Sequence, residues 1–197
     1  MPPPNTPHAT ISTPLPASWT LTPAARLDIF NNTILPAELG PVLSRHRQTS
    51  SARPKPQAII LVGQTGAGKT RLAPLLGSSL AAVLASSSSP DSDDDTRTHE
   101  MDKSPGYAHL IADTYKTYHP HYAACLAAGH PAPVASALAS ADARAWLAMA
   151  CRAAARAGVS CLVESACRHV DDFGELVRIF SSADPGPPDD DHGRRRR

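Results

Sequence analysis

A formal net charge of +1 on 197 residues gives this chain no electrostatic footprint for nucleic acid or for an acidic membrane surface. Its 42% hydrophobic and 19% charged residues suit a globular protein, and 20 prolines with several Ser/Asp/Pro-rich stretches limit the packed core to roughly 130 residues. No stretch approaches the ~20 apolar residues that span a bilayer, and Met1-Pro2-Pro3-Pro4 opens neither a basic nor an apolar targeting segment, so the reading is a cytoplasmic protein without membrane contact.

Residues 1–20 are rich in Pro and Thr and cannot bury enough surface to offset chain entropy, so they read as a disordered leader to a packed domain over 21–183. Thr22-Pro23 supplies a helix N-cap and a proline at the first helical position, and Leu27, Phe30, Ile34 and Leu35 follow at helical spacing. This predicts a helix ending near Leu35-Pro36, a second short one over 37–45, and a polar connector over 48–55. Ala58-Ile59-Ile60-Leu61-Val62 is a continuous apolar, β-branched run, as expected of a strand buried on both faces of a parallel sheet. A helix over 69–84 comes next, with Leu72, Leu75, Leu76, Leu80 and Val83 as its apolar positions, and then a Ser/Asp-rich low-complexity insertion over 86–105.

His109-Leu110-Ile111-Ala112-Asp113 reads as a second strand beside the first, ending in an acid. An Ala-rich crossover helix spans 135–157 and stops at Gly158. Val159-Ser160-Cys161-Leu162-Val163-Glu164 is a third strand, again ending in an acid, and 171–181 is a helix with Phe173, Leu176, Val177 and Phe180 apolar. Residues 184–197 read as a disordered charged tail. Strands alternating with helices predict an α/β fold with a parallel sheet flanked by helices, whose ligands bind at the strand C-termini. Cys125, Cys151, Cys161 and Cys167 fit neither CxxC pairs nor a disulfide framework and read as unpaired thiols.

The strongest motif is Gly63-Gln64-Thr65-Gly66-Ala67-Gly68-Lys69-Thr70, a complete P-loop between a buried strand and a helix. Its glycines let backbone N–H groups face phosphate oxygens, Lys69 is placed to reach the β- and γ-phosphates, and Thr70 to ligate Mg²⁺. No Asn-Lys-x-Asp element is present, which argues for ATP over GTP. Asp113 can serve as a general base or Mg²⁺ ligand, or as the N-cap of the next helix. Glu164 and Arg168 can bind a substrate's hydroxyls and phosphate, or form an i,i+4 pair at a helix start. His119 and His121 lack the acidic or Cys partners a metal site needs.

In combination, residues 56–70, Ile111-Ala112-Asp113-Thr114-Tyr115-Lys116 leading to His119-Pro120 and Tyr122, and Leu162-Val163-Glu164-Ser165-Ala166-Cys167-Arg168 resemble the zeta-toxin family of P-loop kinases, as does the helical lead-in over 21–39. The resemblance implies ATP- and Mg²⁺-dependent phosphorylation of a hydroxyl on UDP-N-acetylglucosamine or a related UDP-sugar, and allows an antitoxin as protein partner. It assigns Lys69 and Thr70 to ATP and Mg²⁺, Asp113 to the general base, and Glu164 to the acceptor. Lys116 matches a basic position, His119-Pro120 a structural pair, and Arg168 the arginine closing the glutamate motif.

The sequence departs from the family pattern at Ala166, where a Thr is usual, and in its downstream lid arginines, for which Arg178 is the remaining candidate beside Arg194 to Arg197. Later strands are also missing, so the expected sheet is truncated at the C-terminus with an exposed edge. These departures keep two alternatives open: a P-loop kinase for another small acceptor, and a nucleotide-binding remnant that acts through partners.

Overall fold

The computed structural model describes residues 19–48, 55–64, 66–86, 106–167 and 170–182. The expected leader, insertion and charged tail fall almost entirely outside them, as do Thr65 and Arg168. Trp19, just ahead of the expected start of order, is buried.

Helix α1 (Pro23–Ile29) starts as the sequence predicts, with the Thr22 hydroxyl accepting from Ala25 N–H at 3.2 Å and Pro23 at the first position. The helix does not stop at Pro36. It continues as a π-helical segment, Phe30–Leu39, and then as α2 (Gly40–Gln48). The wider i→i+5 turn, seen where Gly40 N–H donates to Leu35 C=O, lets the chain pass a proline that lacks an N–H to donate.

Three strands, β1 (Ala58–Val62), β2 (Ala108–Ile111) and β3 (Cys161–Ser165), form a parallel sheet in the order β1-β3-β2. The expected adjacency of β2 to the P-loop strand is therefore corrected, since β3 lies between them, pairing Leu61 with Glu164 on one side and Ile111 with Glu164 on the other. β3 is central and every one of its residues is buried, whereas β1 carries exposed Ala58 and Val62. This is an α/β fold of the P-loop NTPase type.

Helix α3 (Lys69–Ser86) lies on one face of the sheet, and α7 (Ser140–Arg156) on the other. The buried positions of α3 are Ala73, Gly77 and Leu80, while Leu72, Leu75 and Val83 of the expected apolar stripe are exposed. The reason is close approach: a Cβ at Gly77 would overlap the Tyr107 hydroxyl and touch Leu162, so the small-residue face goes inward. On α7 the fit is broad, with Trp146, Leu147, Ala150, Cys151 and Ala154 packed against Leu110, Cys161 and Val163.

The predicted crossover helix over 135–157 is two helices, α6 (Ala132–Leu138) and α7, broken at Ala139, and Gly158 ends α7 at φ +67° as expected. Before them come α4 (Ala112–Tyr115), a 3₁₀ turn (Lys116–Tyr118) and α5 (Pro120–Ala127). Helix α8 (Val170–Ser182) buries Leu176 and Ile179, leaving Phe173 and Val177 exposed against expectation.

Beneath these helices Asp142 is fully buried and saturated. It accepts from Arg26 Nε at 2.8 Å and from Leu21 N–H at 3.1 Å, and lies 3.2 Å from His119 Nε2. His119 Nε2 also contacts the Trp19 carbonyl at 2.9 Å, and its Nδ1 accepts from His121 N–H to cap α5. Both imidazole nitrogens are engaged within the protein, which explains His119-Pro120 as a structural pair. The four cysteines are unpaired, with Cys125, Cys151 and Cys161 buried. Among the described residues no helix is long and apolar enough to cross a membrane.

Candidate active site

All three strands run parallel, so their C-terminal ends, and the segments that leave them, share one edge of the sheet. The P-loop leaves β1 there, Glu164 sits at the end of β3, and Asp113 comes just after β2. The loop is tethered to the central strand, because Gly63 N–H donates to Ser165 C=O at 3.2 Å. Gly66 and Gly68 have φ of +86° and +82°, which a residue with a Cβ adopts only with strain. At Gly63 an added Cβ would meet Ala67 Cβ at 3.2 Å and crowd the Lys69 stem. The loop is thus a tight backbone cradle opening onto the N-terminus of an 18-residue helix, the geometry that suits an anionic phosphate chain.

Lys69 is half-buried and donates to the carbonyls of Gly63 and Gln64, the latter at 3.0 Å, which folds its ammonium over the loop. Thr70 is exposed in the first turn of α3. Among the described residues no group of three His, Cys, Asp or Glu could hold a metal.

Asp113 is not an N-cap. The cap position of α4 is Ile111, and Asp113 stands in the first helical turn with its side chain 71% exposed, 2.7 Å from Lys116 Nζ. Lys116 is in turn held by the Ser136 hydroxyl at 2.6 Å, a partner on α6 that nothing in the sequence pattern singles out. Nor is Glu164 at a helix start: it belongs to β3, is 10% exposed at its side chain, and lies 2.7 Å from His109 Nε2. Just beyond it the Ser165 hydroxyl accepts from Cys167 N–H, and Cys167 occupies the left-handed region at φ 38°. This is local strain in the turn after the acid.

Arg178 is not a neighbour of this edge. It lines a groove with Arg152, Arg156 and Glu175 between α7 and α8. Since α7 ends immediately before β3 begins, that groove belongs to the opposite, N-terminal edge of the sheet. Arg178 therefore cannot clamp a phosphate held at the P-loop.

Fold and loop define a protein of the P-loop NTPase type. The family model of the zeta toxins matches residues 42–87 and 95–184, most of the chain, and the protein belongs to that family of kinase-like phosphotransferases. Among solved structures, a chain of the PezAT chromosomal toxin-antitoxin system of Streptococcus pneumoniae is similar in fold, with TM-score 0.53 and 17% sequence identity. The match covers 84% of this chain and 54% of that one, so this chain spans about half the length of the solved relative. No curated protein matches it.

Proposed function

We propose that this protein transfers the γ-phosphate of ATP to a hydroxyl of a UDP-sugar such as UDP-N-acetylglucosamine. The observation that supports this reading is the convergence of the P-loop, Glu164 and Asp113 at the C-terminal ends of three parallel strands. In the proposed reaction, N–H groups of residues 63–70 and the Lys69 ammonium hold the phosphates, with Thr70 toward Mg²⁺, which when bound offsets phosphate charge. Glu164 accepts a hydrogen bond from the acceptor. Asp113 takes the proton of the attacking hydroxyl as its oxygen bonds to the γ-phosphorus, and the bond from that phosphorus to the β,γ-bridging oxygen breaks to release ADP. Lys116 turns the Asp113 carboxylate, and Arg168 is assigned to the acceptor's phosphate. A cytoplasmic location and an antitoxin partner belong to the same proposal.

A second reading, nucleotide binding without turnover, draws on the remoteness of Arg178, the remaining candidate for a lid arginine. The two are separated by transfer of label from γ-labelled ATP with Mg²⁺ to UDP-N-acetylglucosamine and a panel of other sugars. Labelled sugar is expected from the wild type, with a loss of at least about 100-fold in Lys69→Ala and Asp113→Ala. Folded wild-type protein that binds ATP and yields no labelled sugar overturns the kinase reading.

A further inference from the structure

Glu164 is a buried carboxylate whose one hydrogen-bond partner among the described residues is His109, with 2.7 Å between Nε2 and Oε1. A carboxylate withdrawn from water is oriented by whatever donors remain to it, and among the described residues a single imidazole fills that role. The contact arises from sheet register. Glu164 is opposite Ile111, and His109, the preceding residue on the same face of β2, reaches across diagonally. His109 is itself 36% exposed at its side chain, so it is not a core residue kept for packing. Strand β2 also leads directly into α4, which carries Asp113, so the imidazole ties the carboxylate of one strand to the backbone that positions the other acid.

We propose that His109 is a positioning residue of the acceptor site: its Nε2–H donates to Glu164 Oε1 and leaves Oε2 directed to accept a hydroxyl of the acceptor. The inference rests on the acceptor role proposed above for Glu164. It assigns His109 no contact with ATP and no part in proton transfer from the acceptor.

The test measures UDP-N-acetylglucosamine affinity by calorimetry, with a non-hydrolysable ATP analogue and Mg²⁺ present, for the wild type, His109→Ala, His109→Gln, Glu164→Ala and the Ala/Ala double variant. Affinity for the ATP analogue is measured alongside as the check on folding. His109→Ala is expected to weaken sugar-nucleotide binding about tenfold, the scale of one lost hydrogen bond to a charged group, with the ATP-analogue affinity unchanged. His109→Gln, which supplies another N–H donor, recovers most of that loss, and the double variant binds no more weakly than Glu164→Ala. Wild-type binding that survives His109→Ala unchanged, or a double variant showing additive losses, overturns the positioning role alone. A folded wild type that takes up the ATP analogue but no sugar nucleotide overturns the acceptor reading and this inference with it.

Discussion

Two acid-centred clusters of this protein contrast in how completely their charges are used. Around Asp142 the carboxylate is saturated: Arg26, Leu21 N–H and His119 converge on one fully buried group, and the chain from Trp19 to α7 is locked through it. At the C-terminal edge of the sheet the charges are sparsely used. Among the described residues Asp113 is mostly exposed with one lysine beside it, Glu164 is held by one histidine, and Lys69 rests on its own loop's carbonyls. A saturated cluster can do nothing further, because a ligand would have to break bonds already made. The edge keeps acceptors and donors in reserve, and the strained turn at Cys167 lies there as well.

The contrast can be broken most directly at Asp142. Asp142→Ala should cost about 3–5 kcal/mol in urea unfolding, since Arg26 and His119 would remain buried or half-buried without their anion. A loss below about 1 kcal/mol, the range of an exposed pair, would erase the distinction. Next in size is Gly77→Ala on α3, expected to cost about 1–3 kcal/mol through overlap with the Tyr107 hydroxyl, and Tyr107→Phe in the same background should recover most of it.

Alkaline pH sharpens the picture on the core side. Burial pushes the Cys151 thiol from 9.0 up to about 12, and burial together with the Glu38 carboxylate, which accepts the Tyr118 hydroxyl's hydrogen bond, pushes that phenol from 10.0 up to about 12. Folded protein then keeps protons that the unfolded chain gives up, so this contribution is intact below pH 9 and is lost as pH rises toward 12. Melting temperature should fall across that window, with a shallower slope in Cys151→Ala. Smallest is Asp113→Ala, which should leave unfolding free energy within about 0.5 kcal/mol of wild type while abolishing the proposed transfer. A large destabilisation would recast Asp113 as structural.

Much of the edge was legible in the sequence. Gly63, Gly66, Gly68, Lys69 and Thr70 form a contiguous motif whose backbone demands are met within the loop itself, and the apolar runs before Asp113 and Glu164 put each acid near a strand end. Less legible was everything that depends on which segments lie side by side. His109 became relevant only once β3 was found between β1 and β2 in a register that sets it on the face of Glu164. Asp142 falls inside the single helix predicted over 135–157 with nothing to mark it, and its burial arises with partners such as Arg26 and Leu21, which lie far away along the chain.

The sequence by itself determined the strand-loop-helix unit of the P-loop, the parallel α/β class and the acids that stand at or just past the ends of β2 and β3, because these depend on local sterics and short-range periodicity. Tertiary structure decided the strand order, the inward face of α3, the remoteness of Arg178 and the pairing of His109 with Glu164. Those depend on contacts between distant segments, where small residues such as Gly77 set how closely two elements approach and hence which side chains meet.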